Sequence, residues 1–182
     1  MLHYLQFRQL ASDGHEVPAP VIASRLFGVL HGAFRQMPNK YAIAIPQSGF
    51  ASLRVFAQSR EDLGLLCMAV AGHHVLRDYY CIDNSVQVPS DFAGAWISYR
   101  RFRIPLARAD RNARADGFTL AQRRMALAQH KGLVFFDTLS QTSGQRFSLH
   151  VQRVAAEGPG IFSPNSYGLA SVERPFALPV LA

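Results

Sequence analysis

Over residues 3–89 hydrophobic side chains recur first at every second position, then every three to four, and the order of the two periods constrains the fold more than any other feature. Residues 3–10, "HYLQFRQL", read as a strand with Leu5 and Phe7 inward, and the turn formers of "DGHEVPAP" predict a loop. From about Val21 to Met37, Ile22, Leu26, Leu30 and Ala33 share one helical face flanked by Phe27 and Phe34. "YAIAIP" then alternates through Tyr41, Ile43 and Ile45, and "ASLRVFA" offers a third strand through Leu53 and Val55. Ser59, with Asp62 three residues on, marks a helix start, and "EDLGLLCMAVAGHHVLRDYY" is expected to continue as one amphipathic helix. "SVQVP" is expected to close this half as a fourth strand.

That order, β-α-β-β-α-β, is the ferredoxin-like plan shared by RNA-recognition domains. The fold class expected is therefore α+β. A ferredoxin-like (RRM-like) domain occupies residues 1–92, and a less regular α/β region with an arginine-rich helix occupies 93–182. In the second half "AWISYRRFRI" reads as a strand or extended arm. "LARADRNARAD" has helix formers but an apolar stripe of only Leu106, Ala109 and Ala113. Such a helix gains little from core burial, at ~0.8 kcal/mol per buried methylene. Arg108, Arg111 and Arg114 share one broad face, which suits a groove better than a core. Gly117 ends this helix, and Thr119 and Gln122 have capping-box spacing for another that runs to about His130. "LVFF" is expected to be a buried strand paired with residues 146–154, and the tail from Gly160 is loop-rich.

Charge narrows the partner. The formal charge is +7, carried by 17 arginines and only 2 lysines. Eight arginines and two acids lie between Arg100 and Arg124, so that stretch holds +6 of the +7. Arginine dominance favours bidentate contacts to phosphates or base edges, and its concentration is the footprint of a polyanion site, with a solvated basic helix as the alternative. Acidic membranes fit less well, because the stretch lacks a bulky apolar face. Nothing is long and apolar enough to span a membrane, and the start lacks a signal-peptide pattern. Cys67 and Cys81 have no metal-ligand spacing and read as buried free thiols of a cytosolic protein.

No zinc pattern, Walker loop or dinucleotide fingerprint is present, and the twelve acids are scattered, which disfavours a two-metal nuclease. RNA offers another route, since its own 2′-hydroxyl attacks the adjacent phosphate once a base removes the proton. Histidine suits that task because its ordinary pKa is near neutral. Of seven histidines, His31 stands out: it follows core-facing Leu30 at the flank of the helical stripe, one turn after Phe27. The competing reading is a half-buried histidine with a satisfied nitrogen. His73 and His74 read as surface-edge residues, and His150 as facing solvent or RNA. The segment "LSQTSGQRFSLHV" enters a strand through Ser140, Gln141, Thr142 and Ser143. Such hydroxyls, with amides around Gly144, hold a phosphate or sugar, or else make an ordinary turn. Phe147 is either a stacking platform or core.

Together these stretches resemble the CRISPR repeat-processing endoribonucleases of type I-F systems, a Csy-type family of crRNA maturation. "HYLQFRQL" resembles the family's first strand and "LFGVLHGAF" its first helix with the catalytic histidine. "SQTSGQRFSLHV" resembles the serine-bearing loop and strand, and "SYGL" the C-terminal tyrosine motif. The resemblance implies a metal-independent endoribonuclease without cofactor. It would cut a repeat hairpin by 2′-hydroxyl attack, leave a 2′,3′-cyclic phosphate and hold the mature crRNA. His31 would be the base, Ser140 would hold the nucleotide upstream of the cut, and Tyr167 would orient the histidine. Thr142 and Ser143 would line the backbone, Phe147 would stack under the closing base pair, and Arg108, Arg111 and Arg114 would track phosphates. Arg101 and Arg103 are the nearest matches to the base-reading linker. The implied partners are the repeat hairpin and the subunits of a crRNA-guided type I-F surveillance complex. The implied state is cytoplasmic, away from membranes and monomeric when free. The family pattern departs at Asp110 and Asp116 within the basic helix, at Arg103 where a glutamine reader occurs, and in the tail "ASVERPFALPVLA". A non-catalytic hairpin-binding subunit is the alternative, and a DNA-binding protein a more distant one.

Overall fold

The computed structural model describes residues 1–10, 17–46, 49–104, 120–139 and 144–181. The expected arginine helix with Arg108, Arg111 and Arg114, its Gly117 stop, and the segment with Ser140, Thr142 and Ser143 lie outside them.

The first sheet is five-stranded, and four of its strands lie on one path: β1 (His3–Gln9), β2 (Ala42–Ala44), β3 (Ser52–Ala57) and β4 (Tyr80–Ile82). Their order is β2-β3-β1-β4, with antiparallel pairs throughout, which is the ferredoxin-like arrangement. Leu5, Phe7, Leu53 and Val55 are buried on the face covered by helix α1 (Ala19–Gln36), which buries Ile22, Leu26, Phe27, Leu30 and Phe34. Full burial of each large apolar side chain contributes about 1.5–3 kcal/mol. The helix starts at Ala19, two residues earlier than expected. Pro18 precedes it without a side-chain cap, and its carbonyl accepts from the amides of Val21 and Ile22. Prolines are tolerated there because first-turn amides lack intrahelical partners.

The single helix expected over residues 61–80 is a correction. Helix α2 (Arg60–Val70) begins as expected, with Ser59 Oγ accepting from the Asp62 amide at 3.1 Å. The helix then breaks at Ala71–Gly72, and α3 (His74–Tyr79) starts afresh with His73 Nδ1 accepting the Val75 amide proton at 3.2 Å. Glycine disfavours helix continuation, and the imidazole supplies an acceptor for a new first turn. The periodicity ran through the break because Leu63, Leu66, Val70, Val75 and Leu76 all face one core. The last residues, Tyr80–Ile82, are β4, aligned as Phe7 opposite Ile82. The expected fourth strand at "SVQVP" is reduced to β5 (Val86–Gln87), which pairs with His3 and Tyr4 further along the same edge of β1. Cys67 and Cys81 are free thiols, half-buried rather than buried.

The second sheet comprises β6 (Trp96–Phe102), β7 (Val134–Leu139), β8 (Arg146–Ala156) and β9 (Leu178–Pro179), in the order β7-β8-β6-β9. A helix, α4 (Leu120–His130), precedes β7. "AWISYRRFRI" is thus strand rather than free arm. Leu149 and Val151 are buried on one face, as the alternation predicts. Of "LVFF", Phe136 is fully buried, while Phe135 is half-buried on the opposite face. Phe136 stacks on Phe27 with centroids 4.4 Å apart, and the edge amide of Asp137 donates to Ser24 Oγ at 3.1 Å, so this sheet lies against α1. Arg153 donates to the carbonyls of Ile45 and Pro46 at 2.7 and 2.8 Å, beside the Tyr99 hydroxyl on Ile45.

The outer face of the first sheet, which RNA-recognition domains leave open, is occupied. Phe56 on that face is fully buried, and Arg54, over the Tyr4 ring, donates to the carbonyl of Leu181 near the C-terminal end. Among the described residues no helix is long and apolar enough to cross a membrane.

Candidate active site

Helix α1 carries Phe27 and His31 one turn apart, so their rings lie on neighbouring parts of one face. Phe27 is buried and His31 is half-buried. The partner for both comes from the far end of the chain.

Residues 165–170 form a tight turn held by their own sequence. The Asn165 side-chain oxygen accepts from the amides of Tyr167 (2.8 Å) and Leu169 (3.2 Å), and its backbone carbonyl accepts from Gly168 (2.8 Å). Gly168 has φ +73°, and a Cβ there would meet Phe34 Cε2 at 2.8 Å and the Ile43 nitrogen at 3.1 Å. Only glycine combines that backbone with that approach. The turn is fastened to both sheets: the Ile43 amide donates to the Gly168 carbonyl at 2.9 Å, and Ala170 donates to the Tyr99 carbonyl at 2.8 Å. This fastening lays Tyr167 over α1.

Two contacts result. The His31 and Tyr167 rings stack at 4.1 Å between centroids and 7° from parallel, with Phe27 behind at 6.3 Å from Tyr167. The Ser166 carbonyl lies 2.7 Å from His31 Nδ1. A carbonyl can only accept, so Nδ1 carries the proton and the Nε2 lone pair remains available as a base. Burial pushes the His31 pKa down, the Ser166 bond pulls it up, and the Arg35 charge lowers it further, with a net shift below the usual histidine value. The shift favours the neutral imidazole, the form that can take a proton.

The sequence matches the family model described as CRISPR-associated protein (Cas_Csy4) over residues 4–180. The chain belongs to this family. A Csy4-family chain is a CRISPR-associated RNA-processing protein. No curated protein matches it. One solved structure that matches is titled as a putative chlorite dismutase, at 11% identity, covering 83% of this chain and 78% of that one, with a TM-score of 0.33.

Of the other expected site residues of this Csy4-family protein, Arg101, Arg103 and Phe147 are among the described residues. Arg101, on β6 opposite Val151, holds its guanidinium carbon 5.6 Å from the Tyr167 ring centroid. Arg103 is exposed beyond the end of β6 and makes no described contact with the pair. Phe147, opposite Thr138 at the start of the β8 alternation, is half-buried and packs against the core. His31 also lines a cleft of about 1050 Å³ together with Thr138 and Arg146, which flank the 140–143 segment. His150 is half-buried, 5.7 Å from the Phe135 ring. Among the described residues no three His, Cys, Asp or Glu side chains converge on a metal-sized site. Three contributors escaped the sequence reading: the Ser166 carbonyl, the Asn165 side chain and Gly168. The spacing "NSYG", an Asn three residues before a Gly, carries the turn signal that marks the latter two.

Proposed function

We propose that this protein is a metal-independent endoribonuclease that cleaves the hairpin of a CRISPR repeat in precursor RNA. His31 Nε2 removes the proton of a ribose 2′-hydroxyl. The resulting oxyanion attacks the adjacent phosphorus in line, the bond to the 5′-oxygen breaks, and that oxygen takes a proton from water. The products are a 2′,3′-cyclic phosphate and a free 5′-hydroxyl. The observation that carries this reading is the 2.7 Å contact between His31 Nδ1 and the Ser166 carbonyl, which leaves Nε2 as the acceptor. General-base action of this kind supplies about 10²–10⁴-fold in rate.

Tyr167 orients the imidazole by stacking, and Arg101, beside Tyr167, offers its positive charge to the backbone or a base edge near the cut. Ser140 holds the nucleotide upstream of the cut, with Thr142 and Ser143 along the backbone. Support for this comes from Thr138 and Arg146, which flank that segment and line the cleft holding His31. The exposed edge of half-buried Phe147 stacks under the closing base pair. Arg103 reads base edges, and Arg108, Arg111 and Arg114 follow phosphates of the stem. A bidentate arginine–guanine pair is worth ~1–3 kcal/mol of discrimination. The processed RNA stays bound and joins a type I-F surveillance complex in the cytoplasm.

Incubation with the neighbouring repeat RNA in excess EDTA, beside a copy with 2′-deoxyribose at the cut, tests this. Cleavage of the first alone, ending in a cyclic phosphate, is the expected result. Tight binding without cleavage would turn the reading into that of a hairpin-holding subunit.

A further inference from the structure

His31 lines one part of a cleft of about 1050 Å³. It follows the outer side of α1 from Pro20 to Gln36, walled on one side by β7 and the start of β8 and on the other by the corner between α2 and α3. Its lining includes His31 but none of Tyr167, Arg101 and Phe147, and Thr138 and Arg146 place part of it beside the 140–143 segment.

Its chemistry suits a nucleic-acid strand. Arg25 and Arg146 line it, both exposed, and among the described residues Asp137 is the only acid in the lining, with its carboxylate accepting the Ser148 hydroxyl at 2.6 Å. His73 and His74 stack on one another at 4.5 Å in the opposite wall. Because His73 Nδ1 accepts the Val75 amide proton, its Nε2–H is directed to donate outward, even when the ring is neutral. Phe135 adds an aromatic face for a base. The floor is open at Gly28: a Cβ there would meet nothing within 4 Å. Glycine within a helix costs about 1 kcal/mol relative to alanine. No packing neighbour requires it at this position; what its missing side chain leaves free is the cleft. The floor is α1 itself, and a helix is about 10 Å across, which suits a single strand better than a duplex.

We propose that this cleft binds the single-stranded RNA that continues 3′ of the cut, guiding the leaving strand away from His31. This rests on the endoribonuclease reading. In the proposed function Ser140 holds the nucleotide upstream of the cut while Phe147 stacks under the closing base pair, which puts the hairpin on the 5′ side; the strand that departs with the 5′-hydroxyl is then the one left for this cleft. Arg25 and Arg146 pair with its phosphates and His73 donates to a third.

The test uses the full-length protein and a hairpin with 2′-deoxyribose at the cut, so that nothing turns over. Kd is measured with no extension, with a short unstructured 3′ extension, and with a 5′ extension of the same length, over a range of salt. The 3′ extension is expected to tighten binding about threefold or more, and to steepen the salt dependence by about 1.4 for two added single-strand phosphates. Within Gly28→Leu, which fills the floor, and within Arg25→Glu, the ratio of Kd without and with that extension is expected to fall towards one. Equal affinity of wild type for bare and 3′-extended hairpins overturns the proposal. So does an equal gain from the 5′ extension, or a ratio that survives in a folded Gly28→Leu variant. Failure to bind the bare hairpin would remove the endoribonuclease reading, and this channel with it.

Discussion

The His31 imidazole lies flat on the Tyr167 phenol ring, 7° from parallel and 4.1 Å between centroids, although 135 residues separate Ser166, the carbonyl partner beside Tyr167, from His31. The pair is made by a helix face and a turn that share no local sequence. Its geometry favours a base whose direction is set by stacking from one side and a carbonyl at Nδ1.

Replacing His31 with alanine is expected to slow single-turnover cleavage by about 10²–10⁴-fold, the usual contribution of a positioned general base. Hairpin affinity should change little, because the basic surfaces are untouched. A variant that cleaves at near the wild-type rate would exclude His31 as the base.

The pH profile follows from the sign of the shift. Burial and Arg35 lower the His31 pKa, and the active base is the deprotonated form. Rate should rise with pH with a midpoint below the ordinary histidine value of about 6.5, and be flat by neutrality. Arg35→Gln should move that midpoint upward, since one of the lowering influences is removed. Single-turnover rates measured from about pH 5 to pH 8 check both; a wild-type midpoint above about 6.5 contradicts the assignment.

Tyr167 acts here through its ring. Tyr167→Phe keeps the stack and should retain cleavage within about threefold, whereas Tyr167→Ala should lose about tenfold, the equivalent of a ring-pair contact of ~0.5–1.5 kcal/mol. The alanine variant also exposes the imidazole, so its pH midpoint should climb towards the ordinary value. Equal losses in both variants would point to the hydroxyl instead.

Gly168→Ala should destabilise the fold by about 2–4 kcal/mol, from a left-handed backbone and an unavoidable approach to Phe34 and Ile43. Asn165→Ala removes the acceptor of two backbone amides and should cost about 1–2 kcal/mol. Denaturant midpoints measure both, and an unchanged midpoint in Gly168→Ala would refute the packing account.

The second helical region shows where one-dimensional pattern fails. Residues 61–80 keep a helical period across the break at Ala71–Gly72 because both helices bury their apolar side chains in one core, and periodicity reports the direction of the core rather than continuity of the backbone. The fourth strand was misplaced for a related reason. Tyr80–Ile82 is too short to alternate visibly, and only its pairing with Phe7, Arg8 and Gln9 identifies it.

His31 was legible as a candidate because α1 has a strong stripe, and a polar residue at the flank of a stripe stands out. Its role as an acceptor at Nε2 was not legible. That depends on which atom sits at Nδ1, and the atom is a backbone carbonyl, a group that every residue carries and that no sequence pattern marks.

By itself the amino-acid sequence determined the β-α-β-β-α opening of the fold, the buried faces of β1, α1, β3 and β8, and the basic character of the chain, because hydrophobic period and charge are local properties that each segment carries with it. Only the tertiary structure decided that Asn165–Ala170 bridges β2 and β6, that Tyr167 thereby covers His31, and that a basic cleft opens from His31 along α1. Those are relations between distant segments, set by the packing of two sheets on one helix, and the free energy that selects them is shared over the whole core.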